Sequence, residues 1–140
     1  MNILKTLTEK RKVGNLGERA ATWYLRLHGY RIVRRNYVAA DSEVDIIAKR
    51  NGVLAFVEVK ARSLKNLGGF EARPASAVTP EKQRKIIKAA SCFLARFKDE
   101  CRIRFDVIEV YLEDSNRGTK VKEIKHLTDA FNKNTAYSRH

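Results

Sequence analysis

The stretch EVDIIAKRNGVLAFVEVKAR, residues 43 to 62, constrains the fold more than any other part of the chain. Two apolar runs flank Asn51-Gly52, and Asn-Gly between such runs is the strongest short-range signal for a two-residue β-hairpin. With that turn, Arg50 faces Val53. Counting back along both strands sets Ile47 opposite Phe56, Asp45 opposite Glu58 and Glu43 opposite Lys60. Directly opposed residues share a face, with Cβ atoms ~4.5–5.5 Å apart. Period-two alternation then gathers Glu43, Asp45, Glu58 and Lys60 on one face and leaves Val44, Ile46, Ala55, Val57 and Val59 as an apolar face on the other. The register depends on the turn, because a longer loop or a bulge would shift it and break these pairs.

Opposed carboxylates repel, so a hairpin with Asp45 facing Glu58 needs compensation. A divalent cation supplies it, since Mg²⁺ is bound by one or two carboxylates together with substrate phosphates. Lys60 would stand beside the cation, placed to hold or polarise a water. The alternative is a solvated ion-pair cluster contributing ~0–1 kcal/mol. The apolar runs around these residues point to strands covered on both sides, which favours the cation.

Charge narrows the partners. Among 140 residues there are 29 Lys+Arg and 16 Asp+Glu, a net charge of +13. Such an excess costs self-repulsion and points to a polyanion, here nucleic acid. The basic residues are spread along the chain, as a folded basic surface requires. Arg34, Arg35, Arg62, Lys82, Arg84 and Lys85 are the candidates to hold a phosphate backbone. Phosphate contacts carry no sequence information, so charge does not choose DNA over RNA. No apolar run reaches the roughly 18 residues of a membrane span, and the N-terminus lacks the apolar core of a secretory signal. Cys92 and Cys101 are too few for a disulfide framework and read as reduced thiols of a cytoplasmic protein.

The remaining elements form one domain over residues 14–127, between a loose basic arm (1–13) and a polar, fraying tail (128–140). Asn15 to His28 is helical, with Leu16, Ala20, Trp23, Tyr24 and Leu27 as its apolar face and Gly29 as its stop. Glu18 lies beside Ala21 and Leu25, where it either reaches over the sheet edge or is an N-terminal-turn Glu favoured by the helix dipole. Residues 31–38 form a partly exposed strand. Residues 62–78 form a long loop, which could close over a bound strand. A second helix opens at Thr79-Pro80 and buries Ile86, Ala90, Phe93 and Phe97. Gln83 is on its core-facing side, either near the site or as a core-edge hydrogen bonder. Strands at 102–112 and 119–127 complete an α-β-β-β-α-β-β order.

Asp45, twelve intervening residues and Glu58-Val59-Lys60 resemble the D-(x)n-E-x-K signature of the PD-(D/E)XK nuclease superfamily. The segments GNLGERAATWYL (14–25), GYRIVRRNY (29–37), EVDIIA (43–48), FVEVKAR (56–62), VTPEKQRKI (78–86), RFDVIEV (104–110) and HLTDAF (126–131) together resemble the bacterial YraN-like family, a group without an assigned function. The resemblance covers residues 13 to 131. It implies a restriction-endonuclease-like core, an α/β fold with a mixed sheet of about five strands and a helix on each side. It also implies roles. Asp45 and Glu58, with the Val59 carbonyl, would hold Mg²⁺ or Mn²⁺. Lys60 would be the catalytic lysine, and Glu18 would match the helix-one acid of the Holliday-junction-resolvase-like branch. Gln83 would match a polar residue of helix two near the site, and Glu43 is an additional candidate acid. Ser42 departs from the Gly usual in the family before Glu-(Ile/Val)-Asp, but it spares every proposed ligand. No other cofactor is implied.

The function expected from these residues is metal-assisted hydrolysis of phosphodiesters in DNA. Nothing in the chain points to a sequence-reading module, so selectivity for branched or single-stranded DNA is expected. The alternative is a nucleic-acid-binding or adaptor protein on a nuclease scaffold. Protein partners and oligomeric state stay open, a homodimer included.

Overall fold

The structure, a computed structural model, describes residues 3–64 and 78–137. The elements are α1 (Ile3–Leu27), β1 (Arg31–Ala39), β2 (Ser42–Arg50), β3 (Val53–Ser63), α2 (Pro80–Leu94), β4 (Arg102–Ser115), β5 (Gly118–Phe131) and α3 (Lys133–Tyr137). Their order is the expected one with a short helix added at the end. The five strands form one mixed sheet in the order β1-β2-β3-β4-β5. All neighbours are antiparallel except β3 and β4, which run parallel and are joined through α2.

Asn51-Gly52 makes the expected turn. Both residues have positive φ, 50° and 75°, as a primed turn requires. The pairs Arg50–Val53 and Ile47–Phe56 form as counted. Thr79 caps α2, its hydroxyl accepting from the Lys82 N–H at 3.2 Å, and Pro80 is the first helical residue.

Each sheet face has its own core. On one, Leu54, Phe56, Val107 and Phe105 pack under Ile86, Ile87, Ala89 and Ala90 of α2. On the other, Ala55, Val57, Ile108 and Val110 pack under Ala21 and Leu25 of α1. Fully removing the Val, Leu, Ile and Phe side chains among them from water stabilises by ~1.5–3 kcal/mol each.

Three expectations about the chain ends are corrected. The first helix starts at Ile3, not Asn15, so the described part of the basic arm is helical. Leu, Lys and Glu before Gly14 are good helix formers, and no Pro interrupts them. Its buried face is also shifted: Leu16, Ala20 and Tyr24 of the expected face pack against the core, partly buried. Trp23 and Leu27 are exposed, while Gly17, Ala21 and Leu25 face the sheet. The reason is close approach. A Cβ on Gly17 would lie 2.7 Å from the Ala61 Cβ, so only glycine allows α1 to sit this low on β3. Small residues, rather than the largest apolar ones, thus set the contact face. At the other end, β5 continues to Phe131, and α3 follows. Phe131 is buried and stacks on Phe105 with ring centroids 5.3 Å apart, and Ala136 is buried as well. These anchors hold the described part of the expected fraying tail. The expected loop falls largely on residues 65–77, outside the described residues.

Candidate metal centre

The ladder between β2 and β3 stops at Ile46–Val57, one pair short of Asp45 and Glu58. The direct Asp45–Glu58 and Glu43–Lys60 pairs expected from the count therefore do not form. Asp45 explains why. Its Oδ2 accepts the Val59 N–H at 2.8 Å, so a side chain replaces the main-chain bond and the strands part. The pairing of β1 with β2 likewise passes over Asn36 and Asp45, and Asn36 has φ 52°.

Alternation breaks at the same point. Val44 packs in the α2-side core and Ile46 in the α1-side core, whereas regular alternation would put them together. The expected apolar face therefore loses Val44. Asp45 sits at the crossover, half-buried, with its carboxylate directed at the β3 backbone. Strand geometry turns the carbonyl of a residue to the same strand edge as its N–H. The Val59 C=O thus faces the gap that Asp45 has opened.

Two groups of side chains meet at this gap. Glu43, on β2, and Glu18, on α1, join Asp45, with one carboxylate oxygen from each within 4.8 Å of the others. Asn36 lies over them. With its amide nitrogen facing the carboxylates it donates to Glu43 Oε1 at 2.8 Å and Glu18 Oε2 at 3.2 Å. Of the two sequence readings of Glu18, the structure shows the one that reaches over the sheet edge. Glu43 joins this cluster rather than Lys60.

Glu58 and Lys60 alternate with Phe56 and so lie on the α2 side of β3. Lys60 Nζ is 3.8 Å from Glu58 Oε1. Glu58 is 7% exposed, and its Oε2 has no hydrogen-bond partner among the described residues. Burial and the neighbouring Asp45 push the Glu58 carboxyl up to about 7, against which Lys82 and Lys60 act. Burial also raises Asp45, with Glu43 adding to it, while the Val59 N–H and the Lys82 and Lys60 charges oppose the rise. Glu18 is raised by burial, then by Asp45 and Glu43, with Arg35 opposing.

These acids fit a hard divalent cation. Glu18, Glu43 and Asp45 offer only oxygen ligands and repel one another. Glu58, whose Oε2 lacks a partner among the described residues, stands outside that group of three, on the α2 side of β3. The arrangement can concentrate positive charge at the end of the β2–β3 hairpin, with Lys60 and Lys82 at its α2 side.

Other expected site residues are placed differently. Both ends of the Gln83 amide are engaged in holding the fold: Nε2 donates to the Val78 carbonyl, and Oε1 accepts from the Thr135 hydroxyl, each at 2.8 Å. Gln83 is the core-edge hydrogen bonder of the two sequence readings. Arg84 donates to the Ala136 carbonyl at 2.7 Å and ties α2 to α3. Lys85 pairs with Glu81 at 3.7 Å on the exposed side of α2. Arg62 follows Lys60 on the same face of β3, and Arg34 lies over the Tyr37 ring.

Two acids escaped the sequence reading. Glu109, 3% exposed, neighbours Lys60 across the parallel β3–β4 pair, and its Oε2 has no partner among the described residues. Its alternation with Val107 in an apolar run was the available signal. Asp106 is fully buried and accepts from Arg104 Nε and Nη2 and from the Asp129 N–H, with His126 Nε2 at 2.8 Å. Arg104 also donates to the Tyr30 hydroxyl at 2.6 Å. Nothing in the spacing of Asp106 and His126 marks this cluster, because it is the β4–β5 pairing, with His126 opposite Ile108, that sets His126 diagonal to Asp106.

Comparison with known proteins agrees with the resemblance seen in the motifs. A protein of Chlorobium phaeobacteroides is 44% identical over 125 residues, covering 85% of this chain and 92% of the relative. One of Trichlorobacter lovleyi is 45% identical over 121 residues, covering 85% and 89%. A third, of Caldicellulosiruptor saccharolyticus, is 41% identical over 118 residues, covering 84% and 97%. Each bears the name UPF0102 protein. Residues 17–110, from the glycine that seats α1 through most of β4, match the uncharacterised protein family UPF0102, and the chain belongs to that family.

Proposed function

We propose that the protein is a divalent-metal-dependent endonuclease acting on DNA, selective for branched or single-stranded structure. The observation that carries this reading is the gathering of Glu18, Glu43 and Asp45 where β2 and β3 part, beside a buried Glu58 with one oxygen lacking a partner among the described residues and Lys60 at 3.8 Å. Asp45 and Glu58, together with the Val59 carbonyl, would hold Mg²⁺ or Mn²⁺, with Glu18 and Glu43 as additional carboxylates. When bound, the cation neutralises charge on a phosphate oxygen and lowers the pKa of a water.

The chain's own residues do the rest. Lys60 donates a hydrogen bond to the attacking water or to an oxygen of the transition state. Water adds to phosphorus, a P–O bond breaks, and the leaving oxygen takes a proton. Arg35, whose charge acts on Glu18, and Lys82, whose charge acts on Asp45 and Glu58, would hold the phosphates on either side together with Arg62. The net charge of +13 favours a polyanion at distance, and that attraction weakens with salt as counterions compete.

A cleavage screen tests this. Duplex, single-stranded, flap and four-way DNA and structured RNA are incubated with Mg²⁺ or Mn²⁺. The expected result is metal-dependent cutting of branched or single-stranded DNA by wild type and none by Glu58→Gln or Lys60→Ala, with binding retained. Binding without cutting in all three would make the protein an adaptor on this scaffold. Equal cutting by wild type and Glu58→Gln would place the reaction elsewhere.

A further inference from the structure

A cleft of about 620 Å³ opens between β1 and α2, lined by Arg34, Tyr37, Ala39, Cys92, Phe93, Arg96 and Phe97. That volume is in the range of sites that enclose small organic groups. Its lining is aromatic at the base and cationic at the rim. Phe93 stacks on Phe97 with centroids 5.2 Å apart, and Tyr37 meets Phe93 edge-on at 5.3 Å. Arg34 and Arg96 are exposed, and among the described residues they form no ion pair and share the cleft with no acidic side chain.

The cleft adjoins the acid cluster through one strand. Four successive residues of β1 serve both. Arg35 and Asn36 face the carboxylates, the first through its charge on Glu18 and the second through its amide. Arg34 and Tyr37 line the cleft. Tyr37 pairs with Val44, which lies between Glu43 and Asp45. The left-handed Asn36 is what sends its neighbours to different sides of this edge strand.

We propose that this cleft takes an unpaired nucleotide of a DNA strand whose neighbouring phosphate lies at the acid cluster. The proposal rests on the nuclease reading for the role of that phosphate. The chemistry of the cleft selects the occupant. A base has a planar face to set against the aromatic lining of Phe93, Phe97 and Tyr37, and its phosphate meets Arg34 and Arg96, which form no ion pair among the described residues. A base inside a duplex presents no free face. The cleft thereby supplies a physical basis for preferring single-stranded or branched DNA without reading sequence.

Cys92 is an exposed free thiol in the cleft lining, and it gives a direct probe. Wild-type protein in EDTA is treated with N-ethylmaleimide, a neutral reagent, and adduct formation at Cys92 is followed by peptide mass spectrometry. A 12-nucleotide oligo-dT and a blunt duplex are each added at saturation. Oligo-dT should slow the reaction at Cys92 about tenfold, and the duplex about twofold or less. In Arg34→Ala with Arg96→Ala, oligo-dT affinity should fall about tenfold and duplex affinity less than threefold. Equal protection by bound duplex and bound oligo-dT, or no protection by bound oligo-dT, would overturn the proposal, as would unchanged oligo-dT affinity in the double variant. Because no metal is present, these outcomes are independent of turnover. Protection without any cleavage in the metal-containing screen would refute the nuclease reading alone, and cleavage without protection would refute the cleft alone.

Discussion

Asp106 and Glu58 are buried carboxylates on adjacent strands, one position apart in register, and their surroundings treat them oppositely. Burial would raise Asp106, yet hydrogen bonds from His126, Arg104 and the Asp129 N–H hold it below its usual value. Glu58 has Lys60 at 3.8 Å, an oxygen without a partner among the described residues, and a carboxyl pushed up to about 7 by burial and Asp45. A carboxylate that is fully compensated by its own chain holds structure together. One left short of compensation is available to something from outside.

The largest effect should come from breaking the compensated cluster. Asp106→Ala leaves Arg104 and His126 without their acceptor, and breaking a buried pair from one side costs ~3–5 kcal/mol. Urea unfolding should show that loss. A cost below about 1 kcal/mol would mean that the two clusters do not differ as described.

The open cluster should respond in the other direction. In EDTA above pH 7, Glu58→Gln should stabilise the protein, because it removes a charge that the fold disfavours. The pH dependence of wild type gives the same information. Unfolded Glu releases its proton near 4.5, but folded Glu58 keeps it to about 7. The fold binds the extra proton between those values, so stability falls as pH rises through that window and levels off above it. The fall is about 3 kcal/mol, from ~1.36 kcal/mol per pKa unit. The raised Asp45 and Glu18 act with the same sign. Asp106 acts with the opposite sign, since its stabilisation is present above its unfolded value of 3.8 and is lost as pH falls through its lower folded value. Chemical denaturation across pH 3 to 9 should therefore lose the neutral-pH decline in Glu58→Gln and keep the acid limb.

Gly17→Ala should be next in size. Its Cβ would press on Ala61 at 2.7 Å, and overpacking costs ~1–3 kcal/mol against a helix-propensity gain of ~1 kcal/mol. Lifting α1 should also carry Glu18 away from Asp45 and weaken metal affinity in calorimetric titration. The smallest effect belongs to Glu109→Gln, which keeps shape and removes a charge beside Lys60. Its stability in EDTA should stay within about 1 kcal/mol of wild type, as for a polar change that leaves no charge stranded.

How much of this the sequence carried follows from the kind of interaction involved. Local chemistry was legible. Asn51-Gly52 marks the turn and the hairpin register as far as Ile46–Val57, and Thr79-Pro80 the start of α2, while the position of Glu18 left two readings open. What depended on one side chain replacing a backbone partner was not legible. Asp45 takes the Val59 N–H, ends the ladder early and sends Glu43 toward Glu18 instead of Lys60. Periodicity also favoured Trp23 and Leu27 as core because of their size, while close packing at Gly17 and Ala21 decided the face. Asp106 and His126 meet only because β4 and β5 pair with His126 opposite Ile108, which no spacing within one strand encodes.

If the acids where β2 and β3 part hold a divalent cation, that cation supplies the compensation their own chain leaves incomplete. Thermal unfolding at pH 7.5 with and without Mn²⁺ or Mg²⁺ tests it most directly. A ligand that binds the folded state stabilises it by mass action, ~2.7 kcal/mol at a hundred times its Kd. Wild type should show a concentration-dependent rise in Tm and Asp45→Asn and Glu58→Gln none, while a variant at the exposed Glu81 behaves as wild type. No rise in wild type, or the same rise in Glu58→Gln, would contradict it.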